Sequence, residues 1–307
     1  MTYFGRGAVI SLAMFFLVYV VLSIVVAAGW RAFKETKASS AGFLYGLRLF
    51  PMVSAVAGSA LFIVPSFLYL EPLRQNEPID TPAIVLAACG AAVILLGVFR
   101  ALLAWWKSFR FASSHCLPRL RIECGVPAVE IGAPGPAIFV AGIRRPTLFV
   151  SREARTMLDA REMRMAIRHE MAHVRFRDNL KKLALCACPF PLLGNLEKSW
   201  ARAAELAADD AAAGDESSAL DLASALLKIA AGPRFAQMPA VATGLASDSD
   251  QALHERIARL LAWRPRTETA ARRSHRGPVT LLILAPLIAL YLPLLGQVHE
   301  LTELLVR

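Results

Sequence analysis

The chain has 307 residues, of which 56% are hydrophobic and 19% are charged, and its formal net charge is +10. This composition is too apolar for an ordinary water-soluble domain and indicates a membrane protein. The five cysteines are an odd number and lie in or beside apolar segments, so no disulfide framework is expected.

Four segments contain no Asp, Glu, Lys or Arg over roughly the length of helix that crosses a bilayer. Because the apolar run of the first segment is longer than the apolar region of a secretory signal peptide, we expect it to remain as a span. The sequence therefore predicts four transmembrane helices, at 7–30, 49–70, 82–99 and 277–298.

The Lys and Arg residues predict the orientation of these spans. They cluster after the first span, after the third and before the fourth. Cytoplasmic loops carry such an excess, so we expect the N-terminus outside a bacterial-type inner (plasma) membrane that the chain crosses several times. The positive charge then favours contact with anionic inner-membrane lipid, with no direct binding of nucleic acid.

The predicted fold is a mainly α membrane protein with an α+β domain in the cytoplasm between spans 3 and 4. Residues 1–106 would hold three spans with short loops, 107–276 the cytoplasmic domain, and 277–307 the fourth span and a short outside tail. Within the domain, "AIFV" (137–140) and "TLFV" (147–150) predict a small hairpin.

Helices should dominate the rest of the domain, from residue 151 to 232. Asp159 and Glu162 form a capping pair at the start of a helix that we expect to run through Arg177. The apolar stretch 183–196 is too short and too broken by prolines for a span, so it is core or dips into the membrane face. Further helices are predicted at 195–213, 218–231 and 252–263.

The helix that begins after Asp159 contains an HExxH sequence. Residues four apart share a helix face, so His169 and His173 can project to one point and bind zinc together. Glu170 would lie close enough to take a proton from water at the open position of the metal. The alternative is a surface helix with unrelated histidines. The many arginines of this helix exclude it from the hydrocarbon core and indicate a site at the cytoplasmic membrane surface.

A zinc hydrolase needs a third protein ligand, and Glu205 is the candidate. Glu205 and Asp209 are four residues apart on a helix of mostly Ala and Leu. Glu205 can complete the metal shell while Asp209 accepts the second ring N–H of one histidine. The alternative is a solvated acidic helix edge.

These features together resemble the BlaR/MecR-type membrane metallopeptidases, whose relatives include the HtpX-type and CAAX-prenyl proteases. The resemblance rests on "SREARTMLDAREMRMAIRHEMAHVRFRDNLKKLAL" (151–185), on Glu205-x-x-x-Asp209 and on "HERIARLL" (254–261). It implies a gluzincin-like peptidase domain with zinc bound by two histidines and Glu205. It also implies signalling by proteolysis, typically removal of a cytoplasmic transcriptional repressor.

Two features depart from this family. The chain ends shortly after the fourth predicted span, so we expect no C-terminal penicillin-binding sensor domain, and a homodimer or a sensor subunit would be the further partner. The domain contains no tyrosine, so the residue that stabilises the oxyanion would be His254, His115, an arginine or the zinc alone. The substrate is expected to pair in extended form with the strand that contains Ile138, Phe139 and Val140.

The sequence thus predicts a zinc endopeptidase that cleaves a protein substrate at the cytoplasmic membrane face, in signalling. One alternative is a non-catalytic signalling or scaffold protein that retains the fold, and another is a protease for general quality control of membrane proteins. A transporter is disfavoured because the predicted spans show no paired polar residues.

Overall fold

Three long helices form the membrane part of the protein. The computed structural model describes residues 2–32, 40–72, 79–114, 119–120, 125–132, 135, 137–232, 243–244, 250–264, 291 and 293–303. Within these residues, three helices are long and apolar enough to cross a membrane, as the sequence predicts for the first three spans. They are α1 (Tyr3–Ala32), a helix over Ala41–Leu70, and α4 (Thr81–Ser114).

Most of the fourth predicted span lies outside the described residues, but residues 293–303 are helical and are called the C-terminal helix below. This helix packs against the second long helix, where the Ser66 hydroxyl donates to the Leu295 carbonyl at 3.1 Å. A π-helical turn interrupts the second long helix. It comprises α2 (Ala41–Gly58), a π-helical turn (Ser59–Ile63) and α3 (Val64–Leu70).

The helices α1 and α4 approach each other closely. A Cβ atom on Gly90 of α4 would lie 2.5 Å from the Leu12 carbonyl oxygen of α1. Because a small residue allows two backbones to come this near, it is a common feature of helix contacts in membranes. Any larger residue at position 90 would push the two helices apart.

A five-stranded sheet forms the β part of the domain, in the order β1-β2-β4-β3-β5. The antiparallel pair of β3 and β4, with Phe139 opposite Phe149, is the hairpin that the sequence predicts. The parallel pairing of β2 with β4 and the antiparallel pairing of β5 with β3 were not predicted. The strands are β1 (Arg119–Leu120), β2 (Ala128–Ile131), β3 (Ile138–Ala141), β4 (Thr147–Ser151) and β5 (Thr243–Gly244).

Both faces of this sheet are covered. Successive side chains of a strand point to opposite faces, so Ile138 and Val140 enter the core that the helices of the domain share. Phe139 and Phe149 lie on the other face, where the Phe111 ring at the end of α4 packs 5.6 and 5.3 Å from theirs. The sheet is therefore fixed between a membrane helix and the helices of the domain.

Among the described residues, six helices complete the domain. Four of them lie close to the predicted helices, which end at Arg177 or cover 195–213, 218–231 and 252–263. Two short ones, over 152–157 and 178–186, were not predicted. The predicted capping pair is present, because Asp159 accepts from the backbone N–H of Glu162 and the Glu162 side chain accepts from that of Asp159. The αL residue Arg177, with φ of 56°, separates two of the helices. The helices are α5 (Arg152–Met157), α6 (Ala160–Phe176), α7 (Asp178–Cys186), α8 (Gly194–Ala212), α9 (Glu216–Ala231) and α10 (Asp250–Leu261).

The apolar stretch between α7 and α8 lies against the membrane helices, and we call residues 187–193 the docking segment. The Tyr19 hydroxyl donates to the Pro189 carbonyl at 3.2 Å, and Arg48 donates to the Cys188 carbonyl at 2.7 Å. A Cβ on Gly97 would lie 2.3 Å from the Ala187 carbonyl oxygen. The segment therefore contacts α1, α2 and α4 and connects the peptidase-like domain to the bundle.

Candidate metal centre

The HExxH residues lie in the middle of α6, on its buried face. His169 and Glu170 are 0% exposed and His173 is 2% exposed, which excludes the surface-helix alternative. The helix begins with the capping pair and packs against β3 on one side and α8 and α9 on the other. The core thus fixes both imidazoles, so little side-chain entropy remains to be lost when they bind an ion.

Glu205 of α8 meets the two histidines, as the sequence predicts. The Nε2 atoms of His169 and His173 are 3.1 Å apart. The Glu205 carboxylate lies 3.3 Å from Nε2 of His169 and 3.5 Å from Nε2 of His173. We call these three residues the ligand set; their potential ligand atoms all lie within 4.8 Å of one another.

The spacing of these atoms fits a tetrahedral metal ion. Ligand atoms about 2.0–2.1 Å from a zinc ion at tetrahedral angles lie about 3.3 Å from one another. The two Nε2 atoms are 3.1 Å apart. Nε2 of His169 lies 3.3 Å from Oε2 of Glu205 and Nε2 of His173 lies 3.5 Å from Oε1, so each separation is close to that value. Three protein ligands also leave the fourth position for water, as catalytic zinc sites require.

A carboxylate holds the other ring nitrogen of each histidine. Nδ1 of His169 lies 2.9 Å from Asp209, the contact that the sequence predicts. Nδ1 of His173 lies 2.8 Å from Asp178, which the sequence analysis missed. Such carboxylates fix the orientation and tautomer of a metal-binding histidine and increase its basicity. Asp178 can reach His173 because the left-handed conformation of Arg177 turns the chain between α6 and α7.

Arg256 of α10 holds the acidic residues of α8 together and was also missed. Its guanidinium donates two hydrogen bonds of 2.8 Å to Asp209 and lies 3.2 Å from Glu205. The residue is only 2% exposed, although arginine is among the residues least often fully buried. Arg256 thereby fixes one metal ligand and the partner of another, in a geometry that lysine could not reproduce.

The charges around the ligand set favour a divalent cation. Among the described residues, four buried carboxylates and two cationic side chains surround the imidazoles. The site therefore carries two negative charges in excess when all four carboxylates are ionised and both histidines are neutral, as metal binding requires. A divalent ion would neutralise this excess. The carboxylates belong to Glu170, Asp178, Glu205 and Asp209, and the cations are Lys181 and Arg256.

The pKa values follow the same pattern. Burial alone would lower the pKa of His173, but Glu205 and Asp178 outweigh burial and raise it to about 10. Burial likewise opposes ionisation of Glu205, yet His173, His169 and Arg256 hold its pKa well below its usual value. Metal binding at this site must therefore displace protons from the histidines.

Glu170 has the surroundings of a general base. Both oxygens of its buried side chain accept no hydrogen bond from any residue that the structure describes. Burial, opposed by His169 and His173, raises the pKa of Glu170 to about 7. A buried carboxylate without a donor is unusual and calls for an explanation. A base whose pKa lies near neutrality is well matched to proton transfer at physiological pH.

The structure does not bring His254 to this site. His254 is exposed on α10, two residues before Arg256, and two residues on a helix are about 200° apart around its axis. Because Arg256 faces the ligand set, His254 points away from it, so a role in stabilising the oxyanion has no support. His115 lies outside the described residues.

The predicted substrate strand is also different in the structure. Phe139 and Val140 pair with β4 on one side and with Gly244 and Thr243 of β5 on the other. The edge of β3 that we expected to receive a substrate is therefore occupied by β5 at these two residues. This was not foreseeable because β5 is about a hundred residues away in the sequence.

A cleft opens beside His173. Its volume is about 390 Å³, and it lies between the turn that joins β3 to β4 and the junction of α6 with α7. Asn179 donates to the carbonyls of Val140 and Gly142 at 3.2 Å and thereby ties the two walls together. Arg144 and Arg177 line the cleft and make its wall basic.

The described part of the chain thus combines three helices that could cross a membrane with a buried group, His169, His173 and Glu205, that could hold a metal ion. The chain belongs to the BlaR1 peptidase M56 family, because the model of that family matches residues 18–260, from α1 to α10. No curated protein matches the sequence. The matched range includes the whole ligand set together with Glu170, Asp178, Asp209 and Arg256.

Proposed function

We propose that this protein is a zinc endopeptidase that cleaves a protein substrate at the cytoplasmic face of the inner membrane. The observation that carries the proposal is the ligand set, whose two histidines and glutamate are buried with their ligand atoms within 4.8 Å of one another. Glu170 beside it accepts no hydrogen bond from the residues that the structure describes. Membership of a peptidase family supports the same reaction. In this proposal the N-terminus is outside and the domain is cytoplasmic.

A zinc ion bound there would supply a Lewis acid for the scissile carbonyl and lower the pKa of a water molecule. Glu170 accepts the proton of the attacking water and returns it to the leaving amine. His169, His173 and Glu205 stay fixed throughout because Asp209, Asp178 and Arg256 hold them. These residues are therefore already in position and do not reorganise during the reaction.

The substrate would reach the site through the cleft beside His173. The cleft lies between the β3–β4 turn and the α6–α7 junction, and its arginines favour a substrate segment that carries acidic side chains. A cytoplasmic transcriptional repressor is the expected substrate class, which would make cleavage a signalling step. We expect a homodimer or a separate sensor subunit to deliver the signal.

The test replaces Glu170 with glutamine in the full-length protein. Glu170→Gln should lower cleavage by about 10²–10⁴-fold, the usual contribution of a general base, with the zinc content unchanged. New protein N-termini in cells that express each variant, together with zinc per purified chain, give the two readouts. Glu162→Gln is the matched control, because Glu162 is a buried glutamate of the same helix that contacts α9.

Four results would separate the alternatives. Equal cleavage by the Glu170→Gln protein would overturn the proposal, and unchanged signalling by that variant would favour a scaffold. New N-termini in many unrelated membrane proteins would favour quality control over signalling. A zinc content that does not fall in the Glu205→Ala protein would contradict the assignment of the ligand set as the zinc site.

A further inference from the structure

A second cluster of charged residues lies at the other end of the membrane helices, and we call it the terminal cluster. It consists of Arg6 in α1, Glu71 after α3, and His299 and Glu303 in the C-terminal helix. The domain contacts the same bundle at Val26 and Ala27 of α1. About twenty residues of helix separate Arg6 from that contact, or about 30 Å at 1.5 Å per residue.

The potential ligand atoms of the cluster converge. Those of Glu71, His299 and Glu303 all lie within 4.8 Å of one another. Nε2 of His299 lies 4.0 Å from Glu71, and the Arg6 guanidinium lies 3.2 Å from the other oxygen of Glu71. His299 and Glu303 are four residues apart on one helix, so they face the same point in the way that His169 and His173 do.

The contact between Glu71 and Glu303 brings two carboxyl groups together. They lie within hydrogen-bond reach of each other. Glu71 is 7% exposed, and its Oε1 accepts no well-formed hydrogen bond from the part of the chain that the structure describes. Two ionised carboxylates repel each other at this distance unless a positive charge lies between them.

From this arrangement we propose that the terminal cluster is a second metal site, which binds a divalent transition-metal ion such as Zn²⁺ through Glu71, His299 and Glu303. One imidazole and two carboxylates suit a borderline ion better than Ca²⁺ or Mg²⁺, which prefer oxygen ligands alone.

The site would join three parts of the bundle. Arg6 comes from α1, Glu71 follows the second long helix, and the other two ligands belong to the C-terminal helix. Under the orientation proposed above, the ion would come from outside the membrane. The site thus gives the protein a direct contact with external metal ions that is distinct from its catalytic centre.

The experiment counts zinc ions per chain by equilibrium dialysis of the full-length protein in lipid nanodiscs. The wild type should bind two ions, and His299→Ala and Glu303→Gln should each bind one. Glu205→Ala should also bind one, and the double variant Glu205→Ala/His299→Ala none. Glu300→Gln is the matched control, since this exposed neighbour of the ligands should leave both ions bound.

The outcomes distinguish the two sites. The terminal site is overturned if His299→Ala and Glu303→Gln bind as many ions as the wild type, or if the wild type binds one ion that Glu205→Ala removes. Failure of the catalytic site instead appears as an unchanged count in Glu205→Ala. Glu303→Gln keeps the shape of a half-buried side chain, so it tests the proposal even if His299→Ala fails to fold.

Discussion

The ligand set and the terminal cluster are built from the same side-chain types, but their surroundings differ. Each histidine of the ligand set is held by a carboxylate, and Arg256 in turn holds Asp209 and Glu205. In the terminal cluster, the described contacts of Glu71 are with Arg6, His299 and Glu303 themselves. We infer that a site whose ligands are held by further side chains suits an ion that stays bound. A site whose ligands have fewer such contacts suits an ion that exchanges.

The largest expected effect comes from replacing Arg256, and the matching replacement in the terminal cluster is that of Arg6. Arg256→Met should destabilise the folded protein by about 3–5 kcal/mol and abolish zinc binding by the ligand set, because it leaves two buried carboxylates without their cation. Arg6→Met should cost clearly less, since Glu71 can take up a proton. Thermal unfolding in detergent and zinc counts measure both effects. Equal destabilisation by Arg256→Met and Arg6→Met would show that the two sites depend equally on their arginine.

A smaller effect is expected when one histidine loses its carboxylate partner. Asp178→Asn should weaken zinc binding by the ligand set about 10–100-fold, the usual effect of removing such a partner, and leave the terminal cluster unaffected. Competition with a fluorescent chelator measures the affinity. Asp210→Asn is the control, because Asp210 pairs with Arg259 beside the site. Equal affinity in the Asp178→Asn and wild-type proteins would contradict the role of Asp178.

The smallest effect on zinc binding should come from replacing Glu162, a buried carboxylate outside the ligand set. Ser224, Lys228 and the Asp159 backbone donate to it at 2.5, 2.7 and 2.9 Å. Glu162→Gln should cost about 1–3 kcal/mol of stability and change no zinc count. A change in zinc content would mean that Glu162 is coupled to the ligand set.

The pH dependence of that cost has a definite sign. Burial opposes ionisation of Glu162, but the hydrogen bonds from Lys228 and Ser224 outweigh it and lower its pKa below 4.5. The ionised group therefore stabilises the fold above about pH 4.5, and its contribution is lost as the pH falls through the folded-state pKa. Unfolding curves of wild type and Glu162→Gln should converge in acid; a constant difference down to pH 3 would contradict this.

The sequence predicts those parts of the site that local rules determine. The capping pair, the four-residue spacing of the histidines and the Glu205–Asp209 pair all follow from helix geometry, and the structure has each of them. Asp178 could not be assigned because its position depends on the left-handed turn at Arg177, a conformation that arginine seldom adopts.

Arg256 and β5 were missed for a different reason, since both depend on contacts between distant parts of the chain. Nothing local distinguishes Arg256 among 34 Lys and Arg residues. One signal was available: Arg256 lies on the apolar stripe that Leu253, Ile257 and Leu260 form on α10. A charged residue on such a stripe needs a buried partner, and the Glu205–Asp209 pair of α8 could have provided it.

The docking segment couples the position of Glu205 to the membrane helices. α8 begins where this segment ends, and its first turns pack on α1 and α2 through Leu196 and Trp200. α6 instead packs on the sheet, α8 and α9. Lateral pressure or a thinner membrane that shifts the spans would therefore act on α8, the helix that carries Glu205, so lipid composition should tune how tightly the ligand set binds zinc.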